Sequence, residues 1–205
     1  MASRPAIALL LVATVGLAIG CARRADPTGA DRPASTCACE AAPVVDPGLF
    51  AFLSKARASH HEADLAEDGG DRAGAVRALE RLVDGPAPGP RLPPEAAEVL
   101  ADARARLADL RSAGADFAGA RRDAEAGLVI ATEATHFRGH LLEVAGIVEE
   151  RRGRALKAAG DLDGAERAFR LAIEAFERSI ATQDEVIRRA LGASGKHDAG
   201  ADAGR

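Results

Sequence analysis

Three short segments of the chain match one another: Gly70-Asp71-Arg72-Ala73-Gly74-Ala75, Ala115-Asp116-Phe117-Ala118-Gly119-Ala120 and Gly160-Asp161-Leu162-Asp163-Gly164-Ala165. Their last alanines stand at 75, 120 and 165, so both intervals are 45 residues. A fixed period of this size is what a stack of repeated supersecondary units leaves in a sequence. The residue types say what the unit is. A small residue at 70, 115 or 160 suits the left-handed cap that ends a helix. The Asp that follows can accept from the free amides that open the next helix. Each segment therefore predicts a helix–turn–helix.

Helical patterns on both sides agree. After the turns run Ala75, Leu79, Leu82 and Val83; Ala120, Ala124 and Leu128; and Ala165, Phe169, Ala172, Ile173, Phe176 and Ile180. Before them run Leu49, Phe52, Leu53, Ala56 and Ala63; Leu100, Ala103, Leu107 and Leu110; and Phe137, Leu141, Ala145, Val148, Ala155, Leu156 and Ala159. All follow a period near 3.6. Asp46-Pro47 opens the first leading helix as an N-cap followed by proline. Pro93-Pro94-Glu95 opens the second, after an irregular Pro/Gly loop over Asp84–Leu92. Hydrophobic residues reach 47 % while aromatics are only 3 %, so alanine, the best helix former, supplies much of the apolar share. The fold class expected is all-α: antiparallel helix pairs stacked as three units of 45 residues over 47–192, a short α-solenoid. Three pairs are about the minimum for such a stack. The final pattern runs on through Val186, Ile187 and Leu191, an extension expected to cap the open end. Residues 193–205 read as a disordered Ala/Gly/Asp tail.

The first 46 residues are of another kind. Arg4 precedes an uncharged apolar run, Ala6–Gly20, of 15 residues. That length suits a secretory signal peptide and falls short of a bilayer span, the signal-anchor reading. Residues 21–46 are rich in Ala, Pro, Gly and Asp and read as a disordered tether. Within it, Cys37 and Cys39 are either incidental or open to a mutual disulfide, a link to a partner, or a soft metal. A ring closed over one residue is strained, and two thiolates make half of a tetrahedral site.

Leu17-Ala18-Ile19-Gly20-Cys21 resembles the lipobox of bacterial lipoproteins. The resemblance implies cleavage of residues 1–20, lipidation of Cys21, and a membrane anchor. Ala22 is not the Asp that favours inner-membrane retention in enteric bacteria, so the implied destination is the outer membrane, facing the periplasm. Removing Arg4 with the leader takes the net charge from −4 to −5. With no basic stripe interleaved with aromatics, no nucleic-acid partner is expected.

The third unit, Gly153-x2-Leu156…Gly160-Asp161…Ala165-x3-Phe169-x2-Ala172-Ile173, resembles the small–large–small ladder of tetratricopeptide repeats. The first unit keeps Gly70, Ala75 and Leu79, and the middle one has Ala124 where a large residue belongs. The period is longer than the usual 34 by about a turn and a half per helix. The resemblance implies a concave groove lined by the leading helices: Arg57, His60, Asp64 and Glu67; then Asp102, Asp109 and Ser112; then Glu150, Arg154 and Lys157. Such mixed charge suits an extended peptide or another protein's helix. The same residues also fit plain polar faces of amphipathic helices.

Catalytic signals are few. His136-x3-His140 has a spacing metals can use but lacks a third ligand, and His60, His61 and Asp64 form a similar surface trio. No Ser or Cys sits in a nucleophile motif and no Gly loop cradles phosphate, so neither an enzyme nor a cofactor is expected. The expectation is an envelope scaffold that holds a protein or peptide partner, with thiol or metal handling by Cys37 and Cys39 as the alternative. No oligomeric state follows from the sequence.

Overall fold

A computed structural model describes the backbone of residues 46–201 and side chains as far as residue 192. The expected leader, Cys21, the tether with Cys37 and Cys39, and residues 202–205 lie outside the described residues. Among the described residues six α-helices follow one another: α1 Pro47–Asp68, α2 Arg72–Val83, α3 Pro94–Ala113, α4 Phe117–Ile130, α5 His136–Ala158 and α6 Leu162–Ala201. No strand occurs among the described residues. The fold is all-α.

The three matching segments form three equivalent turns. Gly70, Ala115 and Gly160 take φ of 76°, 65° and 86°, the left-handed region. The amides of Asp71, Asp116 and Asp161 reach back to the carbonyls of Ala66, Arg111 and Leu156 at 2.7, 2.9 and 3.0 Å. Those of Gly70, Ala115 and Gly160 donate to Glu67, Ser112 and Lys157. Together these bonds make a Schellman ending, which satisfies carbonyls a helix end leaves free. Each Asp then accepts from the amide three residues on, Gly74, Gly119 or Gly164, at 2.8, 2.9 and 2.8 Å. One side chain thus follows the stop of one helix and caps the start of the next. At the chain's first helix, Asp46 accepts from Gly48 and Leu49, with Pro47 behind it.

Packing joins α1 to α2, α3 to α4 and α5 to α6. The leading helix α3 also meets α1 and α2, and α5 meets α3 and α4. Among the described residues no close approach joins α2 to α4, or α4 to α6. Leading helices therefore touch one another, while trailing helices touch only leading ones. Three clusters fill the seams: Phe52, Ala56, Leu82, Ala96 and Ala103; Ala63, Ala75, Ala78, Leu79, Leu107 and Leu110; and Ala101, Ala105, Ala108, Ala120, Ala124, Leu141, Val144 and Val148.

The α5–α6 seam is closed by a ladder of a different kind. Gly139, Gly146 and Gly153 recur every seven residues on α5, and face Gln183, Phe176 and Phe169 of α6. A Cβ placed on Gly146 or Gly153 stands 2.6 or 2.7 Å from the phenyl ring opposite. Only hydrogen leaves room for those rings.

Two expectations change. The stripe predicted through Ala165, Phe169, Ala172, Ile173, Phe176 and Ile180 splits: Ala165 and Ala172 are buried, whereas Ile173 and Ile180 are 56 % and 62 % exposed. The extension through Ile187 and Leu191 does not fold back as a cap; α6 meets α5 alone, and these two are 55 % and 68 % exposed. The cause is geometric, since a straight helix longer than its partner cannot return to cover its own end. The backbone of α6 also stays helical beyond residue 192, where the tail was expected, to Ala201. Its alanines favour that state.

Candidate functional site

The residues expected to line one groove fall into three groups. Arg57, His60, Asp64 and Asp102 line a cleft of about 310 Å3 between α1, α3 and α5. Its apolar walls are Leu53, Ala56, Val99 and Phe137, with His61 at the rim. Arg57, His60 and Asp64 converge because positions three and four apart share a helix face. Phe137 arrives from the start of α5, which Thr135 caps by accepting from the Arg138 amide at 3.3 Å.

The second group is already engaged. Asp64 and Glu67 grip Arg106 of α3, which lies 2.6 Å from Asp64 Oδ1 and donates through Nε to Glu67 at 3.1 Å. Arg106 Nη1 also donates to the His60 carbonyl at 3.3 Å. Burial works to lower the Arg106 pKa, but hydrogen bonds and charge from Glu67 and Asp64 outweigh it and hold the group above its ordinary value. One step along, Arg151 of α5 donates to Asp109 Oδ1 at 2.8 Å, to Ser112 Oγ at 2.7 Å and to the Asp109 carbonyl at 3.0 Å.

The third group, on α5, makes no cleft. Arg154 donates to Glu150 at 2.5 Å within its own helix, and Lys157 is exposed. Sequence reasoning missed Arg106, Arg151, Val99 and Phe137. For the two arginines a signal exists: 106 and 151 differ by 45, as do Asp64 and Asp109, and Glu67 and Ser112. α3 and α5 each send one guanidinium to the same two positions of the leading helix before them.

His60 is the titratable group of the cleft with a resolved shift. Burial pushes its pKa below the ordinary 6.5, while Asp102, 4.0 Å away, pulls the other way. Among the described residues no group of three or more His, Cys, Asp or Glu is placed to hold a metal. His136 and His140 stack at 6.4 Å, with His140 beside Glu143 at 3.6 Å. No described helix is long and apolar enough to cross a membrane.

A separate charge cluster is built on one buried carboxylate. Asp123 of α4 is 1 % exposed and accepts from Arg104 at 2.6 Å and from Arg111, both on α3. Arg111 continues to Glu80 of α2, and Arg104 lies 3.4 Å from Asp84. Against the pull of burial, Asp123 and Glu80 hold Arg111 above its ordinary pKa. These contacts bind α2, α3 and α4. The arrangement supplies walls, rims and fixed charges, which suit recognition. Compared with known proteins, the chain matches no family model, no curated sequence and no solved structure.

Proposed function

We propose that the chain is an exported, lipid-anchored adaptor whose three helix pairs form a tetratricopeptide-like array and hold a protein or peptide partner near a membrane. The observation that carries the reading is the cleft between α1, α3 and α5. It joins apolar walls (Leu53, Val99, Phe137) to a charged rim of Arg57, Asp64 and Asp102. Peptide-recognition grooves combine these two features, apolar contact for affinity and polar groups for orientation. The three equal turns and the residue ladder support the array, because one geometry recurs at the 45-residue interval. Anchoring rests on the Leu17–Cys21 motif. Two or three acyl chains on Cys21 convert weak membrane affinity into stable retention.

The reading is tested by mild crosslinking in the native membrane, purification and mass spectrometry. A recurrent envelope protein is expected, and it should be lost with Val99→Asp and with Arg57→Glu, which alter one wall and the rim. Capture that survives both removes the cleft from the account. Cys21→Ser should separately release the chain from the membrane while leaving soluble-phase capture intact.

A further inference from the structure

The 45-residue register shows which face of the last helix pair is uncovered among the described residues. Val83 of α2 packs against clusters that include Leu107, Leu110 and Ala103 of α3. Leu128 of α4, 45 residues on, packs against Leu141 and Val148 of α5. The next position in the series is Ile173 of α6, and it is 56 % exposed. In both earlier pairs the following leading helix covers this place; among the described residues α6 meets α5 alone, and no further helix lies on it. Ile180 and Ile187 continue the line at intervals of seven, 62 % and 55 % exposed, with Leu191 beyond them.

Charge follows the same register. Asp84 stands one residue after Val83 and meets Arg104 of the next leading helix at 3.4 Å. Its counterpart 90 residues on is Glu174, and Glu177 and Asp184 extend the acidic edge beside the isoleucines. These three carboxylates have no basic partner within ion-pair distance among the described residues. On the leading helices the pattern reverses. Asp64 with Glu67, and Asp109 with Ser112, each accept an arginine from the helix stacked on them. The same positions of α5 hold Arg154 and Lys157.

We infer that the exposed Ile173–Ile180–Ile187 face is a docking surface, distinct from the leading-helix cleft, for one amphipathic helix of a partner protein. That helix lays an apolar stripe on the isoleucines, sets Arg or Lys beside Glu174, Glu177 and Asp184, and brings a carboxylate to Arg154 and Lys157. A second copy is the poorer occupant on charge. Stacked head to tail, its α1 brings His61, the counterpart of Arg106 and Arg151, to Arg154 and Lys157. Packed antiparallel about Ile180, α6 sets Glu177 against the partner's Asp184.

The probe is a synthetic helical peptide of roughly 20 residues, about 30 Å long. It carries a leucine stripe flanked by arginines, with glutamate at the end facing Arg154. A second peptide has every charge reversed. Fluorescence anisotropy with the full chain should show binding of the first peptide and about tenfold or more weaker binding of the second. Ile180→Asp should weaken the first by a similar factor. Glu177→Lys with Asp184→Lys should exchange the preference between peptides, an outcome that misfolding cannot produce. Equal binding of both peptides, binding of neither, or retention in Ile180→Asp overturns the assignment. So does a chain that sediments as a dimer and becomes monomeric with Ile180→Asp, since the occupant is then its own copy.

Discussion

The middle pair, α3 with α4, and the last pair, α5 with α6, answer the same geometric demand with different chemistry. At one rung of the ladder the first pair sets Ala63 beside Leu79, the middle pair Ala108 beside Ala124, and the last pair Gly153 beside Phe169. These positions are 45 residues apart in both columns. Where the trailing residue grows to Phe the leading one shrinks to Gly, so the last pair fills its seam alone. Where the trailing residue shrinks to Ala, the seam is filled from outside, by Leu141 and Val148 of α5. The middle pair also places Asp123 where the other trailing helices have buried Ala78 and Ala168. A small–small rung therefore depends on its neighbours and on a charge cluster, while a Gly–Phe rung is self-sufficient.

The largest expected effect breaks the middle pair. Asp123→Ala leaves the half-buried Arg104 and Arg111 without their shared carboxylate, though Asp84 and Glu80 still pair with them. It should destabilise the protein by about 3–4 kcal/mol in urea unfolding, the lower part of the range for breaking a buried pair. Replacing both arginines at once, as Asp123→Ala with Arg104→Met and Arg111→Leu, should recover most of the loss, because apolar residues can substitute for a buried ion cluster at little net cost. A triple variant no better than the single one means that the charges act through something other than pairing.

The last pair is broken by size. Phe169→Ala empties the Gly153 slot and should lose about 3 kcal/mol, the low end for phenylalanine because the ring is only half buried. Gly153→Ala drives a methyl into the ring, and overpacking of this kind should lose about 1–3 kcal/mol. Phe169→Leu added to Gly153→Ala copies the Ala63–Leu79 rung of the first pair. The double variant should be more stable than the two single losses add up to. Simple additivity in a double-mutant cycle would deny that the rungs are interchangeable.

The turns give the next effect, with opposite sign in the middle. Ala115 holds φ of 65° where Gly70 and Gly160 stand in the other turns. An L residue there costs about 1–2 kcal/mol, and glycine returns about 0.5–1 of it as extra chain entropy. Ala115→Gly should therefore raise stability by roughly 0.5–1 kcal/mol, and Gly160→Ala should lower it by a similar amount. Thermal melts of the two variants check both signs.

What could be read before folding divides along the same line. Caps are local: the Gly–Asp step fixes both the end of one helix and the start of the next within six residues, so all three turns were legible. The stripe of α3 was legible because helices on both sides cover it, and that of α1 because α2 and α3 both pack on it. Ile173 and Ile180 were misplaced because periodicity marks an apolar line without saying whether a neighbour lies on it. Arg106 and Arg151 were missed because each helix face was read alone, while their work is between helices. The glycine ladder was visible as a spacing of seven in both helices, yet its meaning needs the antiparallel pairing that brings Gly146 under Phe176.

The smallest effect concerns the cleft between α1, α3 and α5. Burial, opposed by Asp102 and Asp64 and reinforced by Arg106 and His61, holds the His60 pKa below 6.5 in the folded chain. The unfolded chain then binds the proton more readily. Stability from this group is complete above pH 6.5 and declines as pH falls from there through the lower folded value. His60→Gln keeps the volume and removes the titration. The stability difference between wild type and this variant, from urea midpoints at successive pH values, should stay constant above 6.5 and move against wild type below it. A difference that moves in wild type's favour on acidification means Asp102 dominates over burial. The cleft would then be a site that gains charge, and grip on an anionic partner, as the pH drops.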